Sequence, residues 1–335
     1  MTVLVEGYSH RIGEHCASTA LRNLMAFHGV ELSEGMVFGL ASGLGFYYLR
    51  IDGLSPTRMF HGRSATLEND FGANLGLDFA ERSEPDDERA EALLRERLDA
   101  GQPVLLSTDT YYQGYQQTTS HFPGHRCVAV GYDDASQTVL LADRKYPELQ
   151  RCSFAELRRA RNAPDHPIPC ENVWGDFGAT VKLGRPLAEA IALALERNAR
   201  AMLAPEGPLP AGIPALRALA LDFPRWAEAP DWSWAARFAY QIIVKRGAAE
   251  SFFRSLYVDF LRESAALVPA LGTDRLAGRM AAIADHWRAL AAPLKAQSER
   301  EACDPGLFEE AARRAAQLAD LEEGFFADAL AAIAR

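Results

Sequence analysis

The chain has 335 residues, of which 48% are hydrophobic and 24% charged, and this is typical of a globular protein of about two domains. Its 45 acidic side chains outnumber the 35 basic ones and leave a net charge of −10. This balance argues against a nucleic-acid partner, whose phosphates would require a basic surface, and it is compatible with a cationic small molecule as substrate.

After a short β-type run at residues 3–5, the first strong prediction is a helix that begins at Cys16. Apolar residues recur behind it at helical spacing, at Ala20, Leu21, Leu24 and Phe27, and Gly29 is typical of a helix end. Cys16 therefore lies in the first turn. There the unpaired backbone N–H groups and the positive end of the helix dipole favour the thiolate, which is the nucleophilic form.

The next elements are predicted to be a helix, a bend and a strand. Ser33 is typical of a helix N-cap and precedes apolar residues at 36–38 and 40. Glycines at 39, 43 and 45 interrupt this pattern, and the aromatic run at residues 46–49 is β-prone. We interpret that run as core packing. A short helix near residues 67–72 is predicted to follow.

A sheet is predicted behind a charged amphipathic helix at residues 85–100. Apolar β-type runs cover residues 103–108, 127–130 and 138–142, with a hairpin-turn signal at Asp133 and Asp134. Helices followed by an antiparallel sheet predict an α+β domain.

A short basic helix at residues 153–161 and a last strand near Trp174 to Lys182 are predicted to complete this domain. Beyond them the chain shows helical periodicity with frequent alanine, at residues 186–203, 213–222, 234–245, 248–267, 273–296 and 305–334. We therefore predict an α+β domain over residues 1–183 and an all-α domain over residues 184–335.

The predicted sheet provides partners for the cysteine. A cysteine nucleophile needs a base within hydrogen-bond reach and a third group that orients the base. His125 precedes one strand and Asp143 ends the next. Because a short turn joins the two strands, the start of the first lies beside the end of the second. The sequence thus offers a Cys16–His125–Asp143 triad.

Other roles for these residues remain open. A single cysteine near a helix start is often a small buried apolar residue, and Asp143 could cap a turn. Zinc is a minor alternative, because His121, His125 and Cys127 are close in sequence and His15 precedes Cys16. No Cys-x-x-Cys or His-x-x-x-His pair supports a zinc site. We therefore expect the protein to use no cofactor and no metal.

Several blocks of the sequence resemble the butirosin biosynthesis protein H family. In the N-terminal half they are EHCASTALRNL at residues 14–24, LSE at 32–34, FGL at 38–40, GLGF at 43–46, DTYY at 109–112, and His125 with GYDD at 131–134. GAAESFFR at residues 247–254 resembles the helical domain that often follows. The resemblance is therefore close to full length.

This resemblance implies a papain-like, cysteine-peptidase-like fold used for acyl transfer. The family's namesake moves an acyl group from an acyl carrier protein to the amine of an aminoglycoside. By position, Cys16 is then the nucleophile, His125 the base and Asp143 the orienting carboxylate. The expected function is a cysteine-dependent acyltransferase of specialised metabolism, such as antibiotic biosynthesis. Alternatives are a peptidase or amidase with the same triad, and a non-catalytic binding module on the same fold.

Other site residues are candidates for oxyanion or substrate binding. Related peptidases carry a glutamine about six residues before the cysteine as oxyanion donor, whereas this chain has His10 there. His10, Arg11 or the backbone N–H of Cys16 could take that role. The substrate candidates, at the end of a strand that leads toward the site, are Asp109, Tyr111 and Tyr112.

The expected partners are an acyl carrier protein or another acyl thioester donor, and a small-molecule amine acceptor. An acidic carrier protein would need a basic surface, and the densest basic cluster is Arg151, Arg158, Arg159 and Arg161; such a run is usually a solvated helix face.

No signal peptide or membrane helix is recognised, so the expected location is cytoplasmic with no membrane partner. The five scattered cysteines do not resemble a disulfide framework, and an oligomer is possible.

Overall fold

The computed structural model describes residues 2–163, 170–177, 181–248 and 250–334. Within these ranges the strands are β1 Thr2–Leu4, β2 Leu44–Arg50, β3 Arg58–Arg63, β4 Phe79–Arg82, β5 Val104–Thr108, β6 His125–Asp133, β7 Thr138–Ala142, β8 Gln150–Ser153 and β9 Trp174–Phe177. The α-helices are α1 Cys16–Phe27, α2 Glu34–Leu40, α3 Leu67–Leu75, α4 Asp87–Asp99, α5 Phe154–Arg161, α6 Leu187–Leu203, α7 Gly212–Asp222, α8 Trp232–Val244, α9 Arg254–Ser264, α10 Thr273–Ser298 and α11 Pro305–Ile333. The protein is therefore α+β with a helical C-terminal part, as the sequence predicts.

The chain folds into two compact units. The first consists of Met1–Val37 and Gly76–Gly184, and the second of Phe38–Leu75 and Arg185–Arg335. The sequence predicts two domains that meet at one boundary, between residues 183 and 184, whereas each of these units consists of two separate stretches of the chain. Residues 38–75, which form β2, β3 and α3, group with the C-terminal helices instead of with the first unit.

The first unit is built on an antiparallel sheet. Its strand order is β4-β9-β5-β6-β7-β8, and β1 pairs with the far end of β6. Helix α1 packs against β6, the central strand, so the Cys16 helix lies on the sheet that carries His125. The core consists of buried apolar side chains from α4, α5 and the strands, among them Leu98, Leu106, Val139, Leu141 and Leu157.

A β-bulge interrupts the pairing of β6 with β7. Asp133 pairs with Thr138 and Gly131 with Leu140, but beyond the bulge Ala129 pairs with Leu141 and Val128 with Ala142. Val130 is the extra residue on β6. The same point of β6 is where the neighbour on its other side changes from β5 to β1.

The second unit contains the β2–β3 hairpin and the helices α3 and α6–α11. Its interior holds an ion pair between Arg254 and Glu322, both fully buried, with the indole N–H of Trp287 also donating to Glu322 at 2.7 Å. Because both charges have partners, the pair is compatible with burial.

The sequence misplaces the start of one helix in this unit. A helix is predicted from residue 248, but α9 begins at Arg254, and Ala248, Glu250, Phe252 and Phe253 have positive φ. Aromatic packing offsets this unfavourable backbone, because the ring of Phe252 packs on Trp287 with centroids 4.5 Å apart.

The other differences are short strands. The strands β3, β4 and β8 are not predicted from the sequence. Only part of each is buried, so their residues are mixed polar and apolar and show no clear strand pattern. The predicted strand near Trp174 to Lys182 is present as β9, and residues 178–180 lie outside the described residues. Among the described residues, no helix combines the length and the apolar character needed to cross a membrane.

Candidate active site

Cys16 is the first residue of α1 and is buried. The helix is capped by His15, which has an extended backbone and a side chain that lies against the N–H of Ser18. The first N–H groups of an α-helix have no partners within the helix. In α1 the N–H of Ser18 contacts the His15 ring and the N–H of Thr19 contacts the His15 carbonyl. The N–H groups of Cys16 and Ala17 therefore face outward at the start of the helix.

The carboxylate of Glu34, at the start of α2, holds the segment that leads into α1. It accepts hydrogen bonds from the backbone N–H groups of Glu14 at 3.0 Å and His15 at 2.8 Å, and from the hydroxyls of Ser18 at 2.9 Å and Thr19 at 3.0 Å. An anion at a helix N-terminus also complements the dipole. Glu34 therefore fixes the backbone on both sides of Cys16.

The same segment is tied to the end of β7. The N–H of Gly13 donates to the carbonyl of Arg144 at 2.8 Å, and the Arg144 guanidinium donates to the carbonyl of Glu14 at 2.8 Å. These bonds link the residues directly before Cys16 to the residue directly after Asp143. The helix start and the strand end are thus held side by side.

His125 and Asp143 form the pair that the sequence predicts. His125 Nε2 lies 2.8 Å from Asp143 Oδ2, and both side chains are buried. Beyond the bulge the register of β6 with β7 continues to place Asp143 opposite Cys127, which lies on the same face of β6 as His125. The two side chains therefore meet diagonally across one face of the sheet.

Two further donors reach the same carboxylate oxygen. The hydroxyl of Tyr115 lies 2.9 Å and the amide nitrogen of Gln116 2.5 Å from Asp143 Oδ2. Both belong to the segment between β5 and β6. Burial raises the pKa of Tyr115, as does the nearby charge of Asp143, so that Tyr115 stays a protonated donor. Asp143 is consequently held as an ionised acceptor that orients the imidazole.

The electrostatics of the site favour a thiolate–imidazolium pair. Burial acts to raise the pKa of Cys16, but the charges and hydrogen bonds of His15 and His125 outweigh it and hold that pKa well below its usual range. Burial acts to lower the pKa of His125, whereas Asp143 and the Cys16 thiolate raise it to about 9. For Asp143, burial is again opposed, mainly by His125, and its pKa is lowered. Cys16, His125 and Asp143 are thus brought together in a charge state suited to nucleophilic attack.

His10 is not placed as a free oxyanion donor. Its Nε2 lies 2.8 Å from the carbonyl oxygen of Tyr146, and its Nδ1 lies 3.4 Å from the amide nitrogen of Asn23, one to two turns along α1 from Cys16. Both ring nitrogens therefore have protein partners. Arg11 forms an exposed ion pair with Glu31 at 3.0 Å, so the backbone N–H of Cys16 is the remaining donor among the three that the sequence suggests.

Asp109 and the two tyrosines take different positions. Asp109 is fully buried and accepts from the N–H groups of Tyr111 at 3.0 Å and Phe122 at 2.9 Å, with His121 Nδ1 at 2.7 Å. Tyr112 is buried under the guanidinium of Arg159, while Tyr111 is partly exposed and stacks on His121. Asp109 thus holds together the two ends of the 109–124 segment. Of the three residues, Tyr111 has the most exposed side chain.

The residues of the zinc alternative have other partners. His121 contacts Asp109, and Cys127 is fully buried beside the hydroxyl of Thr108 at 4.0 Å and the amide of Gln113 at 3.8 Å. Among the residues that the structure describes, no group of three or more His, Cys, Asp or Glu side chains is arranged to hold a metal ion.

The predicted basic cluster does not form one surface. Arg161 is buried and donates to the carbonyls of Ala90 and Asn172. Arg158 lies 3.2 Å from Glu91, and Arg159 covers Tyr112. Arg161 is therefore a structural residue and cannot contribute to docking.

Sequence reasoning missed His15, Glu34, Tyr115 and Gln116 as members of the site. The N-cap position of His15 next to Cys16 was a usable signal, and so was the acidic residue directly after the Ser33 cap. Tyr115 and Gln116 lie in an irregular segment where neither periodicity nor spacing marks a contact.

Comparison with known families gives two matches. Residues 15–144 match the family described as butirosin biosynthesis protein H, N-terminal, and residues 155–329 match a domain of unknown function, DUF4872. None of the curated proteins matches the chain. The first match contains Cys16, His125 and Asp143, and the second covers most of the helical part. The chain belongs to the butirosin biosynthesis protein H-like family.

Proposed function

We propose that the protein is a cysteine acyltransferase of specialised metabolism with a papain-like catalytic unit. It moves an acyl group from an acyl carrier protein or another thioester to an amine through an acyl-Cys16 intermediate. The observation that carries this proposal is the buried Asp143–His125 pair, 2.8 Å apart, beside a cysteine whose pKa is lowered at a helix start. The family of the N-terminal match, described as a butirosin biosynthesis protein, supports a role in making a natural product.

The first displacement forms the acyl-enzyme. The Cys16 thiolate attacks the thioester carbonyl carbon, the bond from that carbon to the donor sulfur breaks, and the departing sulfur takes the proton of His125. The backbone N–H of Cys16, at the helix end, is placed to stabilise the oxyanion. Exchange of one thioester for another is nearly isoenergetic, so this step is reversible.

The second displacement releases an amide. The acceptor nitrogen attacks the acyl-Cys16 carbonyl, its proton passes to His125, and the bond to Cys16 breaks with its electron pair returning to sulfur. This restores the thiolate–imidazolium pair. Since an amide is more stable than a thioester, the second step drives the transfer.

Intact-protein mass spectrometry tests the covalent step. The protein is incubated with an acyl N-acetylcysteamine thioester, and we expect one acyl adduct that is absent from Cys16→Ser and present in Cys303→Ser, the matched control for the most exposed of the other cysteines. Added primary amines should discharge the adduct as amide. Release by water alone would instead support a peptidase or amidase, and absence of any adduct would support a non-catalytic module.

The choice of donor needs a second comparison. We expect an acyl carrier protein to load Cys16 faster than the free thioester does at equal concentration. Charge reversal at Arg151 and Arg158 should slow loading from the carrier only. If both variants load from the carrier at the wild-type rate, these arginines are not the docking surface.

A further inference from the structure

A continuous chain of hydrogen bonds leads from α1 to the carboxylate of Asp143, and His10 is part of it. Asn23, on α1, contacts His10 Nδ1 at 3.4 Å, and His10 Nε2 lies 2.8 Å from the carbonyl oxygen of Tyr146. The hydroxyl of Tyr146 donates to the carbonyl of Tyr115 at 3.1 Å, and the hydroxyl of Tyr115 donates to Asp143 Oδ2 at 2.9 Å. The chain therefore ends on the oxygen that orients the imidazole of the triad.

The partners of the His10 ring fix which of its nitrogens carries the proton. A carbonyl oxygen only accepts, so Nε2 carries a proton and donates it to Tyr146. The amide of Asn23 has one orientation, because its oxygen accepts from the guanidinium of Arg22 at 3.1 Å and its nitrogen donates to the carbonyl of Arg11 at 2.9 Å. Asn23 therefore presents an N–H to His10 Nδ1, which accepts. His10 is thus a neutral imidazole that forms a hydrogen bond on each side.

The carbonyl that His10 holds belongs to the turn that directly follows β7. The N–H of Tyr146 donates to the carbonyl of Asp143 at 3.1 Å, so residues 143–146 form a four-residue turn. The rings of Tyr146 and Tyr115 pack edge to face with their centroids 5.5 Å apart. His10 therefore fixes the far end of this turn, and Tyr146 in turn fixes Tyr115, whose hydroxyl contacts Asp143.

We propose that His10 is a positioning residue of the triad, which sets the orientation of Asp143, and through it that of His125, by holding Tyr146. This role differs from that of an oxyanion donor, which its position before the cysteine suggests, because an oxyanion donor would contact the substrate oxygen. The consequence for turnover rests on the proposed acyl transfer. In both displacements a proton passes through His125, so a misplaced carboxylate behind that ring slows each step.

The titration of His125, followed by NMR of isotope-labelled histidine, tests this inference without any substrate. The titratable groups that act on His125 are Asp143 and Cys16, with Tyr115 beside the carboxylate, so the measurement is made in Cys16→Ser to remove the thiolate. In this parent, Asp143→Asn should lower the titration midpoint of His125 by about 1–3 pH units. His10→Ala should lower it part of the way, by about 0.5 pH unit or more, which is roughly a threefold loss of proton affinity.

Matched variants separate this role from a general loss of structure. His10→Gln supplies an amide N–H for the Tyr146 carbonyl and should keep the midpoint closer to that of the parent than His10→Ala does. Tyr146→Phe should also lower the midpoint, and together with His10→Ala it should lower it by less than the sum of the two, because both act through one chain. His28→Gln, at the other end of α1, should leave it unchanged. Circular dichroism shows whether each variant is folded, and if His10→Ala is not, Tyr146→Phe carries the test.

The effect on transfer has its own signature in the protein that keeps Cys16. His10→Ala should lower the upper pH limit of acyl transfer, as Asp143→Asn does, whereas loss of an oxyanion donor or of folded protein would lower the rate equally at every pH. The inference is overturned if the His125 midpoint is the same in His10→Ala and in its parent. Absence of an acyl adduct on wild-type Cys16 would instead contradict the proposed function, and the midpoint measurement does not depend on it.

Discussion

At the residue scale, Asp143 shows how one oxygen can set the chemistry of a site. His125, Tyr115 and Gln116 all contact Oδ2, whereas Oδ1 is buried and has no hydrogen-bond partner in the part of the chain that the structure describes. The negative charge is therefore directed at the imidazole, with little competing solvation. The charge, more than the shape, of this side chain should matter.

The variant Asp143→Asn keeps the size and removes the charge. We expect acyl transfer to fall by about 10⁴-fold, as found when the carboxylate of a Ser-His-Asp triad is neutralised. The upper pH limit of acyl transfer should also move down, because the step needs protonated His125 and the pKa of His125 loses its main raising influence. The matched variant Gln116→Glu adds a charge beside the pair and should not lower that limit. Equal profiles for wild type and Asp143→Asn would contradict the role of Asp143.

The raised pKa of His125 also predicts how stability depends on pH. A group whose pKa is higher in the folded state stabilises the fold fully below its unfolded value, near 6.5, and loses that contribution as pH rises through the folded value, about 9. A shift of this size corresponds to roughly 3 kcal/mol. Because Cys16 titrates in the opposite sense, the comparison is made in a Cys16→Ser background. There the difference in unfolding free energy between the parent and His125→Gln, measured in urea, should shrink as pH rises from about 6.5 to about 9.5. A difference that is constant over this range would refute the shift.

Gly13 is required by the clamp that holds Cys16. A Cβ atom there would overlap Thr19 Oγ1 and Glu34 Oε2, the two groups that fix the start of α1. We expect Gly13→Ala to displace the Glu34 carboxylate and to destabilise the fold by about 1–3 kcal/mol. Gly278→Ala, in open space on α10, should instead stabilise by about 0.5–1 kcal/mol. Thermal unfolding and the rate of Cys16 alkylation measure both effects, and an unchanged rate in Gly13→Ala would contradict the clamp.

At the scale of elements, most of the architecture around the site follows from periodicity and capping. The start of α1, the Ser33 cap and the positions of β5, β6 and β7 agree with the sequence prediction, because each has an uninterrupted apolar pattern and clear end signals. The contact of His125 with Asp143 follows from the hairpin. The strained start of α9 does not follow, since tertiary aromatic packing overrides the local preference there.

The contacts that tune the site escape prediction for a different reason. Gln116 and Tyr115 lie in an irregular segment, and their approach to Asp143 depends on how Asp109 fastens both ends of that segment. Similarly, the four bonds of Glu34 depend on the angle between α2 and α1. Such contacts depend on tertiary geometry, which neither spacing nor composition encodes.

The 109–124 segment gives a direct test at this scale. Asp109→Ala should expose the amides of Tyr111 and Phe122 to hydrogen exchange and lower transfer activity, because Gln116 loses its fixed position. Tyr111→Phe, in which the ring stacked on His121 is kept, should leave exchange unchanged. Slow exchange at both amides in Asp109→Ala would show that the segment is held by other contacts.

At the scale of the whole molecule, the second unit depends on its buried ion pair. Arg254 and Glu322 lie 2.7 Å apart with no exposure. Glu322→Gln leaves a buried guanidinium without its counter-charge, and we expect a loss of about 3–5 kcal/mol of unfolding free energy. The double variant Arg254→Met/Glu322→Leu should lose less than the single variant. Calorimetry measures both, and equal losses would indicate that the charge itself is unimportant.

The bulge at Val130 has a consequence for which changes in chain length the site tolerates. If Val130 paired regularly instead of bulging, the pairing of Gly131 with Leu140 would continue to place Asp143 opposite Val128, on the face away from His125. Deletion of Val130 would close the bulge and still leave Cys127 opposite Asp143, so we expect the triad to survive it. Residues added to the turn between Asp133 and Thr138 would also leave the triad intact. The site therefore depends on the register of β6 with β7, and the separation of His125 and Asp143 along the chain can change.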